Sequence, residues 1–161
     1  MSIIISNFSV LIGLSKIEKL DLLKELWKEI IIPEAVFKEV VIDGSGKPGV
    51  EIIAKACEDW IKIFPVKNKE VVKVLRAILD EGEAEVIALG QELSADLLLL
   101  DNREPRIFAK SININVIGTV GIIRLAWERK LIKDPIEELY KLRTNGFWID
   151  EKIIERFKVD I

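Results

Sequence analysis

EGEAEVIALGQELSADLLLLDN, residues 81–102, joins two patterns that decide the fold. The first half is an amphipathic helix opening with acids at Glu81, Glu83 and Glu85, and the second is a run of four leucines ending on Asp101 and Asn102. A short unbroken apolar run reads as a strand buried on both faces, and a helix leading into it reads as a crossover connection. The same alternation extends in both directions. Upstream, IIIS (3 to 6) is a β-branched run followed by the helical spacing of FSVLIGLSKI, and KLDLLKELW places Leu20, Leu22, Leu23, Leu26 and Trp27 on one stripe. EIIIP is a strand stopped by Pro33, which suits the first turn of the helix PEAVFKEVV that carries Glu39. DGSGKPG is the clearest loop and introduces the helix VEIIAKACEDW, after which IKIFPV reads as a third strand. The stretch NKEVVKVLRAILDEGEAEVIALGQEL is helical with a break near Gly82. Downstream of the leucines, REPRIFAKSI is a short helix and INVIG a final strand. TVGIIRLAWERKLI, PIEELYKLRTNG and WIDEKIIERF are helices, the second closed by Asn145 and Gly146.

Strands alternating with helices imply an α/β fold of three layers, a central parallel sheet with helices on both faces. The 161 residues suit a single domain spanning 1–161, with half of them hydrophobic and 32% charged. No apolar run reaches the roughly 20 residues that cross a bilayer, and MSIIISNFSV lacks the pattern of a signal peptide, so a cytoplasmic protein with no membrane partner is expected.

Composition limits the chemistry. Histidine is absent and Cys57 is the only cysteine, which excludes internal disulfides, histidine-based triads and the usual zinc sites. Carboxylates remain in quantity, and they suit hard ions such as Mg²⁺ or Mn²⁺. The wealth of Ile, Lys and Glu beside a single Gln, Gln91, resembles the composition of thermophile proteins. A net charge of −3 speaks against wholesale coating by nucleic acid but permits a local basic patch.

In an open parallel sheet, ligands bind beyond the carboxyl ends of the strands where the strand order reverses. Asn7 and Asp101 end the two strands expected at the centre. Glu83 lies in the first turn of a helix that runs back antiparallel to the strand ending at Asp101, so it reaches the same edge. Each residue also has an ordinary use. First-turn acids favour the helix dipole, Asp101 and Asn7 suit helix caps, Glu39 suits a solvated helix face, and Ser9 and Thr119 are common helix starters. Arg103, Arg106 and Lys110 recur at helical spacing and either track a phosphate backbone or stay solvated. Trp27, Trp60, Trp127 and Trp148 fit core or interface packing, and Cys57 fits a small buried hydrophobe.

The segments SNFSVLIGLSKIEKLDLLKEL, IIIPEAVFKEVV, GEAEVIALG, ADLLLLDN and VIGTVGII, in that order, resemble a PIN domain. The likeness is to small prokaryotic PIN proteins related to the VapC toxins, where an ending comparable to GFWIDEKIIERF also occurs. It implies a metal-dependent ribonuclease using Mg²⁺ or Mn²⁺, with RNA as substrate, a toxin–antitoxin or RNA-processing role, an antitoxin protein as partner, and a homodimer. Carried over by position, the catalytic and metal-holding residues fall on Asn7, Glu39, Glu83 and Asp101, with Glu85 matching a further acid of the related flap-endonuclease pattern. Ser9 and Thr119 match polar positions beside the site, on the nucleic-acid side with Arg103, Arg106 and Lys110. Two positions depart from the family pattern: Asn7 and Asn102 stand where acids are common. A PIN fold weakened in catalysis and serving as a binding module is therefore the competing expectation. A phosphoacceptor domain is disfavoured, since the first strand lacks paired acids and no lysine follows the last strand in INVIGTVG. The expected dimer surface lies around Leu22, Trp27 and Ile30, which carry many apolar positions.

Overall fold

A computed structural model describes residues 2–160, so the outermost residue at each end of the expected domain lies outside the described residues. Five parallel strands form one sheet in the order β3-β2-β1-β4-β5: β1 (Ile4–Ser6), β2 (Ile30–Pro33), β3 (Ile61–Phe64), β4 (Leu97–Leu99) and β5 (Asn115–Ile117). The chain builds outward from β1 through β2 to β3, then returns to place β4 on the other flank of β1. The order therefore reverses between β1 and β4, which pair Ile4 with Leu97 and Ser6 with Leu99. Burial follows that order. Strands β1 and β2 are buried throughout, whereas the edge strands expose Ile63 and Phe64 in β3 and Asn115 in β5.

Among the described residues ten α-helices cover the sheet: α1 (Phe8–Lys16), α2 (Asp21–Trp27), α3 (Glu34–Lys38), α4 (Val50–Cys57), α5 (Lys69–Leu75), α6 (Glu81–Glu92), α7 (Arg103–Ser111), α8 (Thr119–Glu128), α9 (Pro135–Thr144) and α10 (Glu151–Asp160). Helix α6 packs with α3, α5 and α7, while α1 packs with α4, α8 and α9, and α10 joins α9. Two helical layers thus enclose the central strands, which are apolar on both faces, the three-layer arrangement expected from the sequence.

Local differences have local causes. The expected helix PEAVFKEVV is α3 followed by one π-helical turn, Glu39–Asp43, which begins at the candidate residue Glu39. Such turns often occur at functional positions. The break expected near Gly82 falls just before it, because Asp80 and Glu83 form a capping box that starts α6 one residue after Asp80. Trp148, expected to pack, is 79% exposed, whereas Trp60 is buried. Leu22 and Ile30, around which a dimer surface was expected, are buried within the protomer, and Trp27 is half-buried. The apolar pattern there serves the core, so it supplies no dimer face. Cys57 is half-buried, enough to push its thiol up to about 11 and make it a poor nucleophile.

Candidate metal and nucleic-acid site

Asn7 and Asp101 sit at the carboxyl edge where the strand order reverses. The Asn7 backbone N–H donates to Leu99 O at 3.1 Å, extending the β1–β4 pairing by one residue and fixing Asn7 there. Its side-chain oxygen accepts from Val10 N at 3.1 Å, so Asn7 is also the N-cap of α1. On the neighbouring strand, Leu100 N donates to Ile117 O at 3.0 Å, which brings Asp101 against the start of α8.

Asp101 is the most heavily bonded of the candidate acids. Thr119 N donates to its Oδ1 at 2.7 Å, Thr119 Oγ1 donates to Oδ2 at 2.9 Å, and Ser9 Oγ donates to Oδ2 at 3.0 Å. Asp101 therefore caps α8, across the sheet edge, whereas α7, the helix that directly follows it, starts at Asn102 without a side-chain cap. Gly118 leaves room for this, since a Cβ there would stand 2.9 Å from Asp101 Oδ1. Ser9 and Thr119, expected beside the site, thus hold its acid.

A second group forms at the start of α6. Glu83 accepts from Asp80 N through Oε1 at 3.2 Å and from Asn102 Nδ2 through Oε2 at 2.7 Å, while Glu83 N donates to Asp80 Oδ1 at 2.7 Å. Asn7, Ser9, Glu39, Asp80, Glu83 and Asn102 all line one cleft of about 240 Å³. Glu39 therefore does reach over from its helix to Glu83, a juxtaposition that sequence spacing leaves open. Its oxygen lies where a Cβ on Gly82 would collide with it, so the absence of a side chain at Gly82 allows Glu39 to press against the first turn of α6.

Electrostatics mark Glu39 as the strained member. Burial, then the neighbouring carboxylates of Asp80, Asp43, Glu83 and Glu81, push its pKa up from the ordinary 4.5 to about 7. A group of acids that cannot all ionise without repulsion is what a hard cation relieves, and the donors here are oxygen only. Among the described residues, however, no three carboxylates stand close enough together to grip an ion. Asp101 is turned to Ser9 and Thr119, and Glu83 to Asn102 and Asp80.

Two other acids near the start of α6 point elsewhere. Glu85 Oε1 accepts from Ala35 N at 3.0 Å, capping α3 from a buried position, and Glu85 does not line the cleft. Glu81 pairs with Arg76 at 2.8 Å on the surface. Residues two apart on a helix do not share a face, which separates Glu85 from Glu83. Asp80 is the acid that sequence reasoning missed. Its signal was present as an Asp three residues before Glu83, a spacing that reads first as a cap.

On the other side of Asp101, Arg103, Arg106, Ile107 and Lys110 of α7 line a shallow groove of about 430 Å³ with it. None of these three cations takes part in an ion pair among the described residues. No helix is long and apolar enough to cross a membrane, among the described residues. The family model described as PIN domain matches residues 3–160. No curated protein matches the chain.

Proposed function

The chain belongs to the PIN-domain family, whose fold is of nuclease type, and from that premise we propose that it is a metal-dependent endoribonuclease. The observation that carries the reading is the meeting of Glu39, Glu83 and Asn7 in one cleft at the reversal of strand order, with burial first and neighbouring carboxylates second raising Glu39 to about 7. The donor chemistry fits Mg²⁺ or Mn²⁺, and Asn7, Glu39, Glu83 and Asp101 are the residues that would hold it. A bound divalent ion supplies an activated water and a counter-charge for the phosphate oxygens.

The chain's own residues divide the remaining work. Ser9 and Thr119 fix the Asp101 carboxylate by three hydrogen bonds, and Asn102 with the Asp80 backbone fixes Glu83. Asn7 contributes a neutral oxygen, which binds a hard cation more weakly than a carboxylate. Asp80 adds negative charge to the cleft without having been expected there. Arg103, Arg106 and Lys110 face phosphates of the substrate beside Asp101 and orient it. Glu85 is assigned to holding α3 and is left out of the ligand set.

The test is cleavage of single-stranded and structured RNA with Mn²⁺, with Mg²⁺ and with EDTA. Wild type should cleave only with metal, and Glu83→Gln and Asp101→Asn should each lose cleavage with the fold retained. A variant that cleaves as wild type does would remove its residue from the site. A second reading, a binding module weakened in catalysis, is favoured by one contact: Asn102 satisfies Glu83 directly, where an acid would leave that oxygen to a cation. RNA binding without cleavage in either metal would select it. We extend the main reading to a toxin paired with an antitoxin, acting as a homodimer in the cytoplasm. A neighbouring frame encoding a small DNA-binding protein with a disordered tail, and a dimer by light scattering, are the corresponding expectations.

A further inference from the structure

The largest groove among those described, about 730 Å³, opens beside Asp101, and apart from Ser9, Asp101, Asn102, Arg106 and Gly118 its lining plays no part in the assignments above. Its walls come from α7 through Arg106, from α8 through Arg124, from α10 through Arg156, and from Phe147 and Trp148 between α9 and α10. Three guanidinium groups face a single carboxylate, Asp101, on a chain whose net charge is −3. The positive charge is therefore concentrated here against the average of the molecule.

The arginines are not equivalent. Arg124 is engaged by Glu128 at 3.2 Å and Asp160 at 2.7 Å and lies 5.4 Å from the centre of the Phe157 ring. Arg106 and Arg156 have no ion-pair partner among the described residues. Beside them Trp148 leaves 79% of its surface in water, although most large apolar side chains of this protein are buried. An exposed indole next to unpaired guanidinium groups suits a ligand that offers flat rings and phosphates together. Ser9 and Asn102 line both this groove and the cleft of Glu39 and Glu83, so the two are continuous.

We propose that this groove binds single-stranded RNA, one base stacking on Trp148 and the phosphates facing Arg106 and Arg156. It would hold the continuation of the strand whose scissile phosphate lies at the acid edge, and so it rests on the ribonuclease reading. Continuity with the cleft favours that strand over a partner protein or a second copy of the chain. Single strands are favoured over duplexes because paired bases are already stacked on one another and cannot offer a free face to Trp148.

Binding of a short fluorescent single-stranded oligoribonucleotide, followed by anisotropy in EDTA, separates binding from cleavage. Trp148→Ala should weaken binding by about fivefold or more, the lower end of the loss of one stacked base, and Trp148→Phe should restore most of it. Arg156→Ala should make the dependence of log affinity on log salt shallower by about 0.7, as for one lost phosphate contact on a single strand. Unlabelled duplex RNA should compete poorly. The proposal is overturned if the wild type does not bind, if these variants bind as wild type does, or if duplex competes equally. It is also overturned if Trp148→Ala converts a dimer to a monomer in light scattering, which would make a second copy the occupant. Because Trp148 and Arg156 are exposed, their variants should fold normally. Cleavage with Mn²⁺ is scored apart. Binding without cleavage defeats the ribonuclease reading and leaves the groove, while cleavage with unaffected variants defeats the groove and leaves the ribonuclease.

Discussion

Glu39 concentrates the electrostatic cost of the site. Its folded pKa of about 7 lies above the ordinary 4.5, so between those values the folded chain holds a proton that the unfolded chain has released. Stability without metal should therefore be greatest at the acid end of that window and fall as pH rises through it. Denaturant unfolding from pH 4.5 to 8 should show the fall, and Glu39→Gln should flatten it. A slope unchanged by that substitution would place the cause elsewhere. Gly82 tests the same contact from the other side. Gly82→Ala should leave the fold intact, with a gain in helix stability of at most about 1 kcal/mol, but it must displace Glu39 and should weaken any response to Mn²⁺. At this scale the sequence pointed to Asn7, Glu39 and Glu83, which share the cleft, and to Asp101 beside it. It could not show Asp80, because a cap and a site acid have the same spacing. Glu85 was separable on helical geometry alone, since its two-residue offset turns it from Glu83 toward Ala35.

Helix α6 couples the site to the scaffold through two different acids. Asp80→Ala removes the capping box and should cost about 0.5–2 kcal/mol in urea unfolding. It should also loosen Glu83, whose backbone N–H donates to the Asp80 carboxylate at 2.7 Å. Glu85→Ala leaves Ala35 N without its acceptor in a buried setting and should cost about 1–3 kcal/mol, with cleavage by the remaining folded protein unchanged. Loss of cleavage at full folding would return Glu85 to the ligand set. The elements themselves were largely legible, because buried strands and amphipathic helices write distinct periods into the chain. The π-helical turn at Glu39–Asp43 was not, since its apolar spacing is that of the helix it continues. The capping role of Asp101 was legible only in kind. It caps a helix 18 residues downstream, and no local signal reports such a partner.

At the scale of the whole molecule, strand order is what makes an acid edge possible. Asn7 and Asp101 reach the same edge only because β4 returns to the flank of β1, and Glu83 reaches it because α6 leads into β4. Alternation of strands and helices implied a parallel sheet, whereas the exposure of Trp148 was hidden, since an apolar residue between two helices reads the same in a core or on a surface. If the edge holds a divalent ion, a calorimetric melt with rising Mn²⁺ shows it without any RNA. An ion that binds only the folded chain stabilises it by about 2.7 kcal/mol at 100 times its dissociation constant, roughly 5–10 °C for a domain of this size. The wild type should show that shift, Asn7→Asp a larger one from a lower metal-free melting temperature, and Asp101→Asn a smaller one. Three melting curves that coincide and ignore Mn²⁺ would contradict an ion at this edge, and would leave these side chains as helix caps.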